Sequence, residues 1–153
     1  MQKENSKKNS ETENGVEFAP LDNRNKKKAL KLLKVFFPAW RRGALWKFFH
    51  REKEESEFLQ IKKRRKFFGF LIFSTLMFLG YKFLHLRFFA LREKERGQGT
   101  GTEVLKKLEQ KGRHMGHNIL FLFSRPEREK AHKFYFRNGF RRILWFLFWK
   151  KLK

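Results

Sequence analysis

A glycine-rich turn, RGQGTG at residues 96–101, lies between a segment rich in β-favouring residues and an amphipathic helical pattern. The preceding segment, 57–91, is broken by charges and glycines. It predicts three antiparallel strands with tight connections, at 57–62, 66–76 and 81–91. The residues after the turn, about 102–113, have the apolar spacing of a helix. The chain therefore combines strands and helices, and the turn marks the point where the pattern changes.

The same turn has the chemistry of an anion site. The first N–H groups of a helix have no partner within that helix and, together with the helix dipole, attract negative charge. Gly97, Gly99 and Gly101 allow positive φ and a close approach to a phosphate, and Arg96 adds a positive charge. The spacing is that of neither a P-loop nor a dinucleotide-binding fingerprint. From the residues alone, a flexible connection and a backbone site for a pyrophosphate both stay open.

The remaining segments alternate strands and helices around this turn. VEFAPL at 16–21 predicts a strand, and the helix after it has Asp22 or Asn23 as its cap and ends at Pro38. Further along, the pattern predicts a helix at 41–56, a strand at 117–123, a helix at about 126–137 and one closing strand after Phe140. The order β-α-α-β-β-β-α-β-α-β predicts one domain over 16–153, preceded by a polar, disordered tail at 1–15.

A long uncharged run raises the alternative of a membrane span. FFGFLIFSTLMFLGY at 67–81 has 15 residues without a charge, flanked by KKRRK and by Lys82. A helix needs about 20 apolar residues to span a bilayer, and this run also contains two glycines, Ser74 and Thr75. A buried hairpin fits better than a span, and the basic flanks leave contact with a membrane surface open.

The charge of the chain favours anionic partners. There are 38 Lys and Arg against 15 Asp and Glu, a formal net charge of +23. Such a charge attracts nucleic acid, anionic lipid or a phosphate-bearing cofactor, but its spread along the whole chain is equally explained by a broadly basic surface. The absence of Cys excludes disulfides and thiolate metal sites. The polar N-terminus lacks an apolar signal segment, so a cytoplasmic location is expected.

Two motifs resemble the GNAT superfamily of N-acyltransferases. ALREKERGQGTGTEVLKKLEQKG is similar to its acetyl-CoA-binding pattern, Gln/Arg-x-x-Gly-x-Gly/Ala, with Arg96, Gly99 and Gly101 in register. AHKFYFRNGF at 131–140 is similar to the family segment Ala-x-x-Phe-Tyr-x-x-x-Gly-Phe. The resemblance covers about residues 16–145, and the predicted order of elements agrees with it.

The resemblance implies an α+β (α/β mixed sheet) fold. Its central sheet is mostly antiparallel and splayed between the fourth and fifth strands, with flanking helices. The implied reaction transfers an acetyl group from acetyl-CoA to a primary amine of a small molecule or a peptide. The implied cofactor-binding residues are Phe89, Ala90, Leu91, Arg96, Gly97, Gln98, Gly99, Thr100 and Gly101. Main-chain groups of the first three would pair with the pantetheine and polarise the thioester carbonyl.

Two side chains are candidates for proton transfer. The resemblance implies that Tyr135 is the general acid that protonates the departing thiolate, because a phenol with a pKa near 10 is protonated at neutral pH. Alternatively, the Tyr135 ring only packs in the aromatic core. The base stays open, since the fourth and fifth strands hold no carboxylate and His85 is also explained as a packed strand residue. HMGH at 114–117 lacks carboxylate or Cys companions, so no metal is expected.

Two departures from the family pattern bear on activity. Arg128 stands where relatives commonly carry Asn, and one predicted strand after Phe140 replaces the usual two. The alternative is therefore a catalytically inactive, basic module of the same shape that binds nucleic acid or another polyanion. The acceptor amine and the oligomeric state, including a homodimer, stay open from the sequence.

Overall fold

The computed structural model describes residues 15–37, 47 and 56–152. Within these ranges, seven strands form one sheet in the order β1-β2-β3-β4-β5-β7-β6. The strands are β1 (Val16–Pro20), β2 (Glu57–Lys63), β3 (Lys66–Phe78), β4 (Tyr81–Leu91), β5 (Ile119–Phe123), β6 (Arg141–Arg142) and β7 (Leu147–Lys151), and the helices are α1 (Asn23–Phe36), α2 (Thr100–His114) and α3 (Glu129–Arg137).

The sheet confirms the predicted α+β class with mixed, mostly antiparallel strands. Every neighbouring pair is antiparallel except β4 and β5, which run parallel. The predicted tail at 1–15 and helix at 41–56 lie outside the described residues, apart from residues 15, 47 and 56.

Helix α1 begins at a cap that the sequence predicted. The carboxylate of Asp22 accepts the backbone N–H of Asn25 at 2.7 Å and the side-chain amide of Gln60 at 3.0 Å. The hydrogen bond from Gln60, followed by that from Asn25, holds the pKa of Asp22 below its ordinary value. Ala29 and Leu33 are fully buried against β3 and the end of β4, so α1 covers one face of the sheet.

Strands β3 and β4 form the hairpin predicted for the uncharged run. The predicted burial is wrong for the residues around the turn, which are exposed: Leu76, Met77, Phe78, Leu79 and Tyr81. Leu79 and Gly80 close the turn with φ of +47° and +78°, and the strands pair from Phe78↔Tyr81 to Gly69↔Leu91. In the part of the chain described, no helix is both long and apolar enough to cross a membrane.

Burial on both faces explains why β3 carries no charge in its middle. Leu71 and Phe73 belong to the cluster that includes α2, whereas Phe70 and Ile72 belong to the cluster beneath α1. Alternate side chains of a strand point to opposite faces. The sequence of a strand that is covered on both faces is therefore a continuous run of apolar residues.

Helix α2 covers the second face of the sheet. Val104, Leu105 and Leu108 are fully buried against β3, β4 and β5. After the helix, His117 is 4% exposed, its Nδ1 lies 3.1 Å from Gly112 O, and its Nε2 lies 2.9 Å from the Thr75 hydroxyl. Burial lowers the pKa of His117. Across the described ranges, no three His, Cys, Asp or Glu side chains lie close enough to share a metal ion.

The C-terminal segment corrects one prediction. The sequence predicts a single closing strand after Phe140, but the structure has two, β6 and β7, joined by a turn at 143–146. The backbone N–H of Ile143 donates to Leu147 O at 3.1 Å and closes the turn. The apolar sequence RRILWFLFW contains no Gly, Pro, Asn or Asp, so the signals that usually mark a turn are missing.

Candidate functional site

The sheet divides between β4 and β5. The parallel register runs from Phe83↔Ile119 to Leu86↔Leu122 and ends there. Strand β4 nevertheless continues to Leu91, paired with β3. The two strands therefore leave a cleft after Leu86, and the last part of β4 lies along one wall of it.

A β-bulge in β4 lies where this division begins. Ile72 is opposite Phe88 and Phe73 is opposite Leu86, so Arg87 is an extra residue in β4. Such a bulge bends a strand and increases its local twist. It turns the end of β4 away from the line of β5, which opens the cleft.

The glycine-rich turn follows the end of β4 and opens α2. Gly97 and Gly99 have φ of +76° and +78°, a conformation that favours glycine. A Cβ added at either residue would meet no heavy atom of the described chain within 4 Å. Both positions thus have the positive φ that the sequence predicted, and the space beside them is open to a bulky group.

Gly101 differs from this prediction. It lies in the first turn of α2, and it is not among the glycines with positive φ. A Cβ there would lie 3.1 Å from the ring of Phe134 and 3.9 Å from Leu91. The absence of a side chain at Gly101 therefore allows α2 to pack closely on α3 and on the end of β4.

The start of α2 presents backbone N–H groups without a side-chain cap. Gly99 is the N-cap and makes no side-chain capping bond, and Glu103 N–H makes the first helical hydrogen bond, to Gly99 O at 3.1 Å. The carboxylate of Glu103 turns away, to Lys63 Nζ at 3.0 Å and Val16 N–H at 2.5 Å. The N–H groups of residues 100–102 thus lie at an electropositive helix end.

The other predicted binding residues surround the turn. Arg96 is exposed, and its Nε donates to Leu91 O at 3.1 Å, which ties the turn to the end of β4. Gln98 donates to Lys94 O at 3.0 Å. Thr100 and Ala90 are buried, with each residue 4% exposed.

Tyr135 lies in an aromatic cluster next to this turn. Its ring centroid is 5.5 Å from that of Phe140 and 5.6 Å from that of Phe148. Its neighbour Phe134 contacts Gly101, and the ring of Phe89 lies 6.3 Å away from that of Phe134. Burial raises the pKa of Tyr135 to about 12. The phenol therefore stays protonated at neutral pH and can donate a proton.

His85 lies in the paired part of β4, opposite Phe121. Its ring is stacked on that of Phe121, with centroids 4.5 Å apart and planes at 6°, and it meets the Phe123 ring edge-on at 5.3 Å. Burial, followed by the charge of Arg87, lowers the pKa of His85 to about 4. The imidazole is therefore neutral at pH 7, and its tendency to take up a proton is weak.

The two candidates for proton transfer lie on opposite faces of the sheet. Leu84 and Leu86 belong to the buried cluster against which Tyr135 packs. Because successive side chains of a strand alternate, His85 points to the other face. The structure therefore does not bring these two candidates together on one face of the sheet.

Two positively charged residues near the cleft were not predicted as site residues. Arg87 is the bulge residue, and Arg128 is the N-cap of α3. Burial, followed by the like charge of Arg125, lowers the pKa of Arg128, and the charge of Arg128 opposes the rise in the pKa of Tyr135. The signal for Arg87 is a single charge inside the apolar run LHLRFFAL. Arg128 was visible only as a departure from a motif.

This arrangement has three chemical parts. Backbone N–H groups of residues 100–102 at the helix end suit an anion such as a diphosphate. The end of β4 lines a cleft beside that turn, and a protonated phenol from α3 lies nearby in an apolar setting. Together they suit an elongated molecule with a phosphate at one end and a leaving group that needs a proton at the other.

Comparison with known proteins supports this interpretation. A model described as the acetyltransferase (GNAT) family matches residues 27–140. Ard1 of Thermoplasma volcanium is 17% identical with a TM-score of 0.72, over 91% of this chain and 99% of that one. A GNAT acetyltransferase of Elizabethkingia anophelis with acetyl-CoA bound is 16% identical with a TM-score of 0.71, over 90% and 99%. The PaiA N-acetyltransferase of Thermoplasma acidophilum in complex with coenzyme A has 16% identity and a TM-score of 0.65, over 90% and 99%. No curated protein matches the chain in sequence.

Proposed function

The chain belongs to the acetyltransferase (GNAT) family, and from this premise we propose that it transfers an acetyl group from acetyl-CoA to a primary amine. The observation that carries the proposal is the turn with Gly97 and Gly99 at positive φ, which opens α2 beside the divided sheet. Acceptors with a primary amine occur among small molecules and peptides alike, and the proposal includes both.

The residues that would hold acetyl-CoA fit its shape and charge. The N–H groups of residues 97–101 would hold the pyrophosphate, with the Arg96 charge beside them. Open space at Gly97 and Gly99 gives the phosphates room to reach the backbone. The backbone of Phe89 to Leu91 would pair with the pantetheine arm along the cleft.

The reaction requires one proton to leave and one to arrive. The amine nitrogen forms a bond to the acetyl carbon, the carbon–sulfur bond breaks, and the sulfur takes the phenol proton of Tyr135. The raised pKa of Tyr135 keeps that proton available at neutral pH. The amine loses its own proton to water or to His85, and the low pKa of His85 favours water in this step.

Titration calorimetry with acetyl-CoA tests the proposed binding site. Gly99→Glu adds a negative side chain at a positive-φ residue, in the space assigned to the phosphates, so we expect it to abolish binding. Gly116→Glu is the matched control. Gly116 follows the other end of α2 and has φ of +77°. An added Cβ there likewise meets no heavy atom within 4 Å among the described residues.

The two variants separate a local role from general damage. Loss of affinity in Gly99→Glu alone supports the turn as the phosphate site, whereas unchanged affinity in that variant removes this role. A panel of amines, followed by the appearance of free thiol, then tests catalysis and identifies the acceptor. Acetyl-CoA binding without thiol release for any amine would favour the inactive, basic binding module.

A further inference from the structure

The turn between β6 and β7 exposes four consecutive large apolar side chains. The exposed fractions of Ile143, Leu144, Trp145 and Phe146 are 62%, 49%, 79% and 43%. Phe123 at the end of β5 is 54% exposed, and its ring centroid lies 5.9 Å from that of Phe146. We call these five residues the apolar tip. A contiguous exposed apolar patch usually marks a surface that binds another molecule.

Hydrogen bonds hold the apolar tip in a defined shape. The backbone N–H of Ile143 donates to Leu147 O at 3.1 Å, which closes the turn onto β7. The backbone N–H of Ser124 donates to Phe146 O at 2.8 Å, which ties the turn to the end of β5. The apolar side chains are therefore presented by a turn fastened to two strands.

The C-terminal segment that holds four of the five residues of the apolar tip carries only positive charge. Residues 130–153 contain eight Lys and Arg and no Asp or Glu. Arg141, Arg142 and Lys151 of β6 and β7 are exposed. The guanidinium of Arg142 lies over the Phe136 ring at 5.7 Å, which holds a cation beside exposed apolar surface. This combination matches a lipid surface, where apolar side chains enter the headgroup boundary and cations contact phosphates.

We propose that the apolar tip docks on the surface of an anionic lipid bilayer, with Trp145 and Phe146 inserted and the arginines of β6 on the headgroups. A tryptophan at the boundary between lipid and water is favourable, because its ring is amphipathic. Nucleic acid fits less well, since the aliphatic side chains of Ile143 and Leu144 do not stack on bases as aromatic rings do. In a dimer formed through the apolar tips, the Arg and Lys side chains near one tip would face those of the other copy, and their like charges would repel.

Sedimentation of the full chain with vesicles tests the proposal. The vesicles consist of phosphatidylcholine alone or of phosphatidylcholine mixed with phosphatidylserine. We expect binding to the mixed vesicles, and we expect the double variant Trp145→Ser, Phe146→Ser to bind about tenfold more weakly because apolar burial is lost. Leu79→Ser is the control, since Leu79 is 80% exposed at the β3–β4 turn. Thermal unfolding of each variant checks that it is folded.

Three results would overturn the proposal. Equal binding by the wild type and the tip variant would mean that charge alone attracts the chain to vesicles. A loss of binding in Leu79→Ser but not in the tip variant would assign the membrane contact to the other turn. A dimer that the tip variant converts to a monomer, without vesicle binding by either, would identify a second copy as the occupant.

Discussion

Gly69 in β3 permits an unusually close approach of two strands beside the proposed acetyl-CoA site. A Cβ at Gly69 would lie 2.1 Å from the backbone oxygen of Ala90 and 3.0 Å from Leu91 Cα. Contacts under 3.0 Å are essentially never seen for real Cβ atoms, so Gly69→Ala requires the end of β4 to move by at least about 0.9 Å. The atoms in the way are backbone, and no side chain can rotate to relieve the contact.

Two consequences of Gly69→Ala follow from this displacement. Overpacking costs about 1–3 kcal/mol, and the better strand propensity of alanine offsets about 0.5–1 kcal/mol of it, so the net loss of stability is up to about 2.5 kcal/mol. At about 2–4 °C per kcal/mol for a chain of this size, the melting temperature should fall by up to about 10 °C. The shift also moves the backbone of Ala90 and Leu91. Loss of one hydrogen bond to the pantetheine would weaken acetyl-CoA affinity by up to about tenfold.

Thermal unfolding and titration calorimetry measure both effects, with Gly80→Ala as the control. Gly80 has φ of +78° and open space around an added Cβ, so alanine there costs about 1 kcal/mol through its backbone alone. The control should lose stability and keep its acetyl-CoA affinity. A Gly69→Ala protein with the melting temperature and acetyl-CoA affinity of the wild type would refute the close approach of Gly69 to the backbone of Ala90.

Three further predictions concern the two side chains proposed for proton transfer. Tyr135→Phe keeps the ring and removes the hydroxyl, so turnover followed by thiol release should fall at least about a hundredfold with acetyl-CoA affinity unchanged; a loss of affinity instead would assign the hydroxyl to binding. Because the pKa of Tyr135 rises from 10.0 to about 12, the unfolded chain ionises first, and the wild type should lose stability between those pH values while the variant is spared this loss. His85 affects stability at acidic pH instead. Its pKa falls from 6.5 to about 4, so the unfolded chain takes up a proton first as the pH drops. Urea unfolding should show stability lost from pH 6.5 to pH 4, and less so in His85→Phe; identical profiles would contradict the buried, neutral imidazole.

Much of the site could be predicted because its parts are close in sequence. The residues from Arg96 to Gly101 form one turn, and positive φ at Gly97 and Gly99 depends on the local backbone alone. The helix that begins after them is likewise a local consequence of apolar spacing. The expected positive φ was wrong for Gly101. The contact that favours a glycine there comes from Phe134, more than thirty residues further along the chain.

The closing hairpin shows the same limit. Nothing in the sequence around 143–146 marks a turn, and the hydrogen bond that fastens it comes from Ser124 of another segment. The roles of His85 and Tyr135 also depended on tertiary structure. The pKa of each side chain follows from how deeply it is buried and which charges lie near it, which are properties of neighbours distant in sequence.

The sequence by itself determined the order of strands and helices up to the end of α3, the glycine-rich turn and the excess of positive charge. The first two depend on residues next to one another, and the charge depends on composition alone. Only the tertiary structure decided where the sheet divides and which side chains face the cleft. It also decided which apolar side chains remain in water at 143–146. Those features arise from the pairing and packing of segments far apart in the chain, because the burial of a side chain depends on which distant residues pack against it.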